Sequence, residues 1–237
     1  GVGEIAIADH RGSQLTAAEL ARVAAQSRVG GMLSGKAGIV FVHVGDGASG
    51  LQLLHQVAKQ SDIPLTQFYP THINRSQPLL EQGVEFAKKG GVIDFTTSTN
   101  QHFLNHGEVS VVSAVKFAFE QGVELSRISL SSDGNASLPV FDSAGECIGV
   151  EVGKVSSLFN AMQALIISGF TLEQILPLVT SNAARNLKLK RKGGIGLDKD
   201  ADFVLLDHKL AINKVWGKGQ LLVDNGIAVK RGTFELY

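Results

Sequence analysis

Residues 39–72 read IVFVHVGDGASGLQLLHQVAKQSDIPLTQFYPTH, and the fold turns on how this stretch divides. Residues 39–44 (IVFVHV) are almost continuously apolar and rich in β-branched side chains, as a strand covered on both faces should be. After a Gly-Asp-Gly turn, residues 48–60 (ASGLQLLHQVAKQ) carry a helical pattern, and 68–72 (FYPTH) form a second strand-like run. Strand, helix and strand in succession imply parallel strands joined by a right-handed crossover.

The alternation continues in both directions. Residues 4–8 (EIAIA), 92–95 (VIDF) and 128–132 (ISLSS) read as strands, and residues 16–27, 78–89 and 108–121 as helices. Gly90-Gly91 and Gly122 end two of the helices. Five parallel strands are therefore expected, against the eight of a closed (β/α)8 barrel. A doubly wound open sheet is the alternative, but no GxGxxG follows a strand, so its nucleotide-binding version has no support. A helix is expected over 171–189, opened by a Thr171/Gln174 capping box. Beyond Gly193-Gly194 the texture changes to short strands over 201–206, 211–216, 219–223 and 227–230, with Asn225-Gly226 as a hairpin signal. The opening GVGEIAIADHR is strand-like from its first residue, which suggests the middle of a longer chain.

Composition excludes several function classes. Lys+Arg and Asp+Glu both number 22, so no basic field is available to hold nucleic acid or a membrane surface. No apolar run approaches the roughly 20 residues of a spanning helix. Cys147 is the only cysteine, which rules out an internal disulfide and suits a reducing compartment. A cytoplasmic homo-oligomer is expected.

In a parallel barrel the chemistry gathers at the C-terminal ends of the strands. Four potential metal ligands sit at or near strands: Glu4, His43, His72 and Asp133. Two imidazoles and two carboxylates suit Zn2+ or a similar divalent ion. Arg11 and Arg75 stand close by in sequence, and a planar guanidinium recognises a carboxylate bidentately. Two arginines beside a metal suggest a substrate with carboxylate groups, although both could instead pair with Asp9 or other surface acids. Asp133 lies in the polar loop SSDGNAS, where it could hold a metal, accept a proton from metal-bound water or simply cap a turn. His102 and His106, four residues apart, read as part of an exposed loop or lid.

The segments GEIAIADHR, VFVHVGD, PTHINR, SLSSDGNAS and GGIGLDKDADFVLLD, in this order, resemble the isoaspartyl (β-aspartyl) dipeptidases of the amidohydrolase superfamily. The resemblance implies a (β/α)8 barrel, incomplete here, with residues 1–190 equivalent to its strands 4–8. Residues 191–237 would be strands of a small β-sandwich. It implies two zinc ions in an intact site, and one or none in a chain without the first-strand HxH pair. Glu4 takes the position of the bridging carboxylate, where better-known members carry a longer carbamylated lysine. His43 and His72 take the two histidine positions and Asp133 the eighth-strand position. Arg11 and Arg75 match residues that bind the substrate's α-carboxylate, and Ser137 a residue that contacts the substrate. The implied activity is zinc-assisted hydrolysis of β-aspartyl dipeptides, with Asp133 as general base and acid. A dihydroorotase- or hydantoinase-like cyclic amidase, and a catalytically inactive fragment, are the competing readings.

Overall fold

In a computed structural model, which describes residues 1–142 and 144–233, the alternation read from the sequence takes shape as a parallel β/α series. Its elements are β1 (Val2–Ile7), α1 (Ala17–Ser34), β2 (Val40–Val44), α2 (Gln52–Gln60), β3 (Phe68–Thr71), α3 (Gln77–Lys88), β4 (Ile93–Thr96), α4 (Gln101–Asn105), α5 (Val111–Glu120) and β5 (Ile128–Ser131). β1, β2 and β3 pair in that order, all parallel, and β4 pairs with β5 in the same way. Ile73 N–H donates to Asp94 O at 3.2 Å, which ties the end of β3 to β4. Spatial neighbours are thus sequence neighbours. A doubly wound sheet would reverse its order at a switch point, and this series does not.

The two faces of these strands differ in chemistry. Val40, Val42 and Val44 of β2 are fully buried, as are Leu20 and Ala24 of α1 and Leu51, Leu54 and Val57 in and beside α2. The opposite face of β2 carries Phe41 and His43, whose register partners on β3 are Tyr69 and Thr71. Asp94 and Thr96 of β4 pair with Ser129 and Ser131 of β5. Tyr69 and Thr71 reach this second pair through Tyr69–Ser129 (2.5 Å) and Thr71–Asp94 (2.7 Å) side-chain hydrogen bonds. One face is therefore apolar and the other largely polar, the arrangement of strands that carry helices outside and a site inside.

The chain divides into two compact units, Gly1–Lys188 and Leu189–Tyr237. The second contains β8 (Phe203–Leu206), β9 (Ile212–Gly217), β10 (Gln220–Asp224) and β11 (Ile227–Ala228), antiparallel in the order β11-β10-β9-β8. Asn225 and Gly226 both have positive φ, 50° and 76°, as a two-residue type I′ hairpin turn requires.

Several elements depart from the expectation, the short α4 in place of an exposed loop among them. Residues 137–152 contain an antiparallel hairpin, β6 (Ser137–Phe141) and β7 (Cys147–Val152), and α6 (Ser157–Ile167) follows it. The α6 sequence SLFNAMQALII is apolar on nearly every side, so no helical stripe stands out. The single helix expected over 171–189 is two, α7 (Leu172–Val179) and α8 (Ser181–Asn186). Pro177 removes a hydrogen-bond donor and Thr180 leaves the helical region (φ −134°), so the axis breaks there. Among the described residues no helix is long and apolar enough to cross a membrane.

The first long helix starts where its capping box dictates. Thr16 Oγ1 accepts from Glu19 N–H at 3.3 Å, and Glu19 Oε2 accepts from Thr16 N–H at 2.8 Å. Replacing Thr16 by Ala should cost about 1 kcal/mol in a denaturant titration. Thr16→Ser should be near neutral, and a loss as large in Ser as in Ala would show that the hydroxyl cap is not the cause.

Candidate metal centre

Three strands end on residues with left-handed backbone: Ala8 (φ 50°) after β1, His72 (φ 63°) after β3 and Asp133 (φ 48°) after β5. For a residue with a Cβ this conformation costs about 1 kcal/mol or more, and it persists only where surrounding bonds impose it. At His72 those bonds are visible. Arg75 N–H donates to His72 O at 3.0 Å, and Ile73 N–H is held by Asp94 O. The kink turns the imidazole away from the regular strand alternation.

Glu4, His43 and His72 converge. Each offers a ligand atom within 4.8 Å of the others, and among the described residues no other set of three His, Cys, Asp or Glu does so. His43 Nδ1 lies 3.6 Å from Glu4 Oε2, and His72 Nε2 lies 4.0 Å from Glu4 Oε1. In a tetrahedral zinc site with bonds near 2.0–2.1 Å, ligand atoms stand about 3.3–3.5 Å apart. The printed contacts are a few tenths to more than half an ångström longer than that, so the side chains would draw together around an ion, and the donor set fits a divalent metal. His72 is 4% exposed, and burial first, then the positive charges of Arg75 and His43, push its pKa down to about 2. It is neutral at physiological pH, as a ligand must be.

The imidazoles present different nitrogens to this point. His43 turns Nδ1 to Glu4, while its Nε2 lies 3.4 Å from Asp9 Oδ2. His72 turns Nε2 to Glu4, while its Nδ1 makes a short hydrogen bond with Thr96 Oγ1. Asp9 can approach His43 because residue 45 is Gly. A Cβ there would stand 2.3 Å from Ala8 O and 2.7 Å from Asp9 Cβ.

Arg11 is engaged by Asp9 along a fork of bonds. Its backbone N–H and Nε–H donate to Oδ1 at 2.8 and 3.0 Å, and Nη2 donates to Oδ2 at 2.8 Å. These bonds hold the Asp9 carboxyl far below the usual carboxylate range. Arg75 is half-buried, which lowers its pKa against the opposing pull of Asp9, Glu108 and Asp46. Asp133 stands outside the close triad, yet Glu4 and His43 both act on it. Burial and the Glu4 charge raise its pKa, while Arg75 and His43 pull it down. Ser137 opens β6 and is exposed. His102 and His106 lie in and beside the short α4, with rings stacked at 4.1 Å, and His102 also stacks on Phe141 at 4.4 Å.

A family model described as the amidohydrolase family matches residues 3–222. The chain belongs to the amidohydrolase family. Among solved structures it is similar to the beta-aspartyl dipeptidase from thermophilic, keratin-degrading Fervidobacterium islandicum AW-1 in complex with a beta-Asp-Leu dipeptide. The identity is 44% and the TM-score 0.87, over 99% of this chain and 61% of that one. A second structure of the beta-aspartyl dipeptidase from that organism matches at 41% identity and TM-score 0.84, over 99% of this chain and 58% of that one. An amidohydrolase from Thermotoga maritima MSB8 shares the fold at 17% identity and TM-score 0.53, over 83% and 46% of the two chains. This amidohydrolase chain thus spans about three-fifths of the length of the dipeptidases it matches.

The Arg11–Asp9 pair is the alternative that the sequence left open for that arginine, and the two-position spacing lets one side chain fork onto the other. Sequence reasoning missed Thr96, which bonds His72, and Asn74, which bonds Thr96, as well as Asp94. Asp94 is fully buried and accepts from Ser129 (2.5 Å), Ser131 (2.5 Å) and Thr71 (2.7 Å), yet burial outweighs the three hydroxyls and lifts its pKa to about 6. Only the alternation of β4, which turns Asp94 inward with Thr96, could have signalled it.

The sign of the resulting pH dependence follows from proton binding. A carboxyl loses its proton near pH 4 in the unfolded chain but keeps it to about pH 6 in the folded one. The folded state therefore holds the extra proton in this window, and stability is lost as pH rises from about 4 through 6. In metal-free protein, the melting temperature relative to that of Asp94→Asn should fall across this window and level off above it. A pH-independent difference would show that ionising Asp94 costs the fold nothing.

Proposed function

We propose that the protein to which this chain belongs is a metallo-dipeptidase that hydrolyses the β-aspartyl amide bond of dipeptides. Residues 1–190 would be its partial (β/α)8 barrel and residues 191–237 strands of a small β-sandwich. The observation that carries the reading is the convergence of Glu4, His43 and His72 on one point. It occurs in a chain 44% identical to an enzyme crystallised with a beta-Asp-Leu dipeptide.

Glu4, His43 and His72 are the residues that would hold the ion, with zinc the borderline metal that suits one carboxylate and two imidazoles. When bound, the metal supplies acidification of a water molecule and polarisation of the scissile carbonyl. The second metal of an intact site would share Glu4 and add Asp133. Asp133 takes the proton of the attacking water and passes it to the leaving amine, so no net charge accumulates on the enzyme. Its raised pKa suits that work, because a carboxylate closer to neutrality both accepts and returns a proton readily. Arg75, poorly solvated, and Arg11, already aligned by Asp9, bind the substrate's carboxylate and so set the β-linked amide rather than a normal peptide bond at the metal. Ser137 adds a hydroxyl contact near Asp133. The setting proposed is cytoplasmic and homo-oligomeric, with neither nucleic acid nor membrane as partner.

Two measurements test this. The purified protein should retain about one or more divalent ions per chain after mild purification, and His43→Ala and His72→Ala should each lower that content. Less than about 0.2 per chain in the parent would favour the inactive-fragment reading. On β-Asp-Leu, Asp133→Asn should lower kcat by roughly a hundredfold or more with an unchanged circular dichroism spectrum. Near-normal turnover would remove Asp133 from the chemistry. A cyclic imide turned over in preference to the dipeptide would replace the substrate class.

A further inference from the structure

We propose that Thr96 is a positioning residue for the metal centre: its hydroxyl accepts a hydrogen bond from Nδ1–H of His72 and so keeps the Nε2 lone pair aimed at the ion. This rests on Glu4, His43 and His72 being the ligands. A neutral imidazole has one protonated and one bare nitrogen, and which of them can ligate is decided by the partner of the other. In His72, Nε2 faces Glu4 and Nδ1 faces Thr96. The ring is almost wholly shielded from solvent, so bulk water cannot stand in for the hydroxyl. The bonds that hold the His72 backbone at φ 63° fix where the ring starts, but leave its nitrogens to be set by their own partners.

Thr96 is itself anchored. Its backbone N–H donates to Asn74 Oδ1 at 2.9 Å, and Asn74 Nδ2 donates back to Thr96 O at 3.1 Å. Asn74 is fixed in turn, since Nδ2 also donates to Val109 O at 3.0 Å and its carbonyl accepts from Val109 N–H at 2.8 Å. A β-branched side chain on a strand has few χ1 choices, so pinning the backbone places the hydroxyl. The hydroxyl can donate as well as accept. Binding of the ion at Nε2 selects the tautomer in which it accepts. The residue thus stabilises the loaded form of the ring rather than the fold as such.

The experiment uses metal-stripped protein titrated with Co2+ against a competing chelator, read by the visible d–d spectrum, with the apo melting temperature recorded in parallel. Thr96→Val, near-isosteric and without the hydroxyl, should weaken Co2+ binding by about ten- to a hundredfold and alter the band pattern. Thr96→Ser, which keeps the hydroxyl, should lose less than about tenfold relative to the parent. Apo melting temperatures of Val and Ser should agree. If Val does not fold, Thr96→Ala against Thr96→Ser gives the same comparison. Parent-like affinity in Val or Ala, or weakening as large in Ser, would overturn the role of Thr96 and leave the ligand assignment standing. A parent that takes up no Co2+ would bring down the ligand assignment and this inference together.

Discussion

The register Ala6↔His43↔Thr71 sets residues of β1, β2 and β3 side by side at the same height. Glu4 lies two residues back along β1 and His72 one residue beyond Thr71. Three residues separated by 39 and 29 positions meet because parallel pairing sets neighbouring strands in register, whatever chain lies between. A slip of one residue in β2 would turn His43 to the helix-covered side and put Val42 or Val44 at the centre. The apolar face opposes such a slip, since Val40, Val42 and Val44 would all leave the core together. Packing outside the strands thereby fixes chemistry inside them.

The polar inner face carries a cost that the centre explains. Asp94 lies with no solvent exposure to speak of, and His72 is nearly as deep. Buried polar groups are tolerated when they are bonded, and here hydroxyls do most of the bonding: Thr71, Ser129 and Ser131 on Asp94, Tyr69 on Ser129, Thr96 on His72. The network joins β3, β4 and β5 across their interior. It also places an ionisable carboxyl near the Glu4–His43–His72 cluster, close enough that Glu4 raises its pKa. A cation at the centre would act on Asp94 in the opposite sense.

The parallel series and the antiparallel tail were legible from patterning, because apolar runs, Gly turns and the Asn225-Gly226 dipeptide each signal one local conformation. Glu4, His43 and His72 were legible as candidates from their place on strands, with the family resemblance ordering them. The hairpin of β6 and β7 is harder to read: CIGVEV alternates, but SLPVF does not, and it follows a polar turn-rich loop. α6 is too evenly apolar to show a stripe, and one proline-containing helical pattern hid the break at Thr180. Thr96, Asn74 and Asp94 escaped for a different reason. Their roles come from partners 22 to 37 residues away, and no local pattern encodes which hydroxyl will face which ring.

His43 stands between two carboxylates, and the structure distinguishes their roles. Asp9 is 4% exposed and both of its oxygens accept from Arg11, so it is already neutralised. Among the described residues no arginine or lysine pairs with Glu4, which is 40% exposed and has room to shift toward both imidazoles. In the proposed centre Asp9 would be the acceptor that steadies His43 through Nε2, and Glu4 the ligand on the Nδ1 side. His72 mirrors this arrangement with Thr96 in place of Asp9 and the nitrogens exchanged. Each imidazole thus has one nitrogen facing Glu4 and an oxygen of another residue on the other. The two rings, 4.6 Å apart at 68° to one another, can then meet one ion from two directions without competing for the same space.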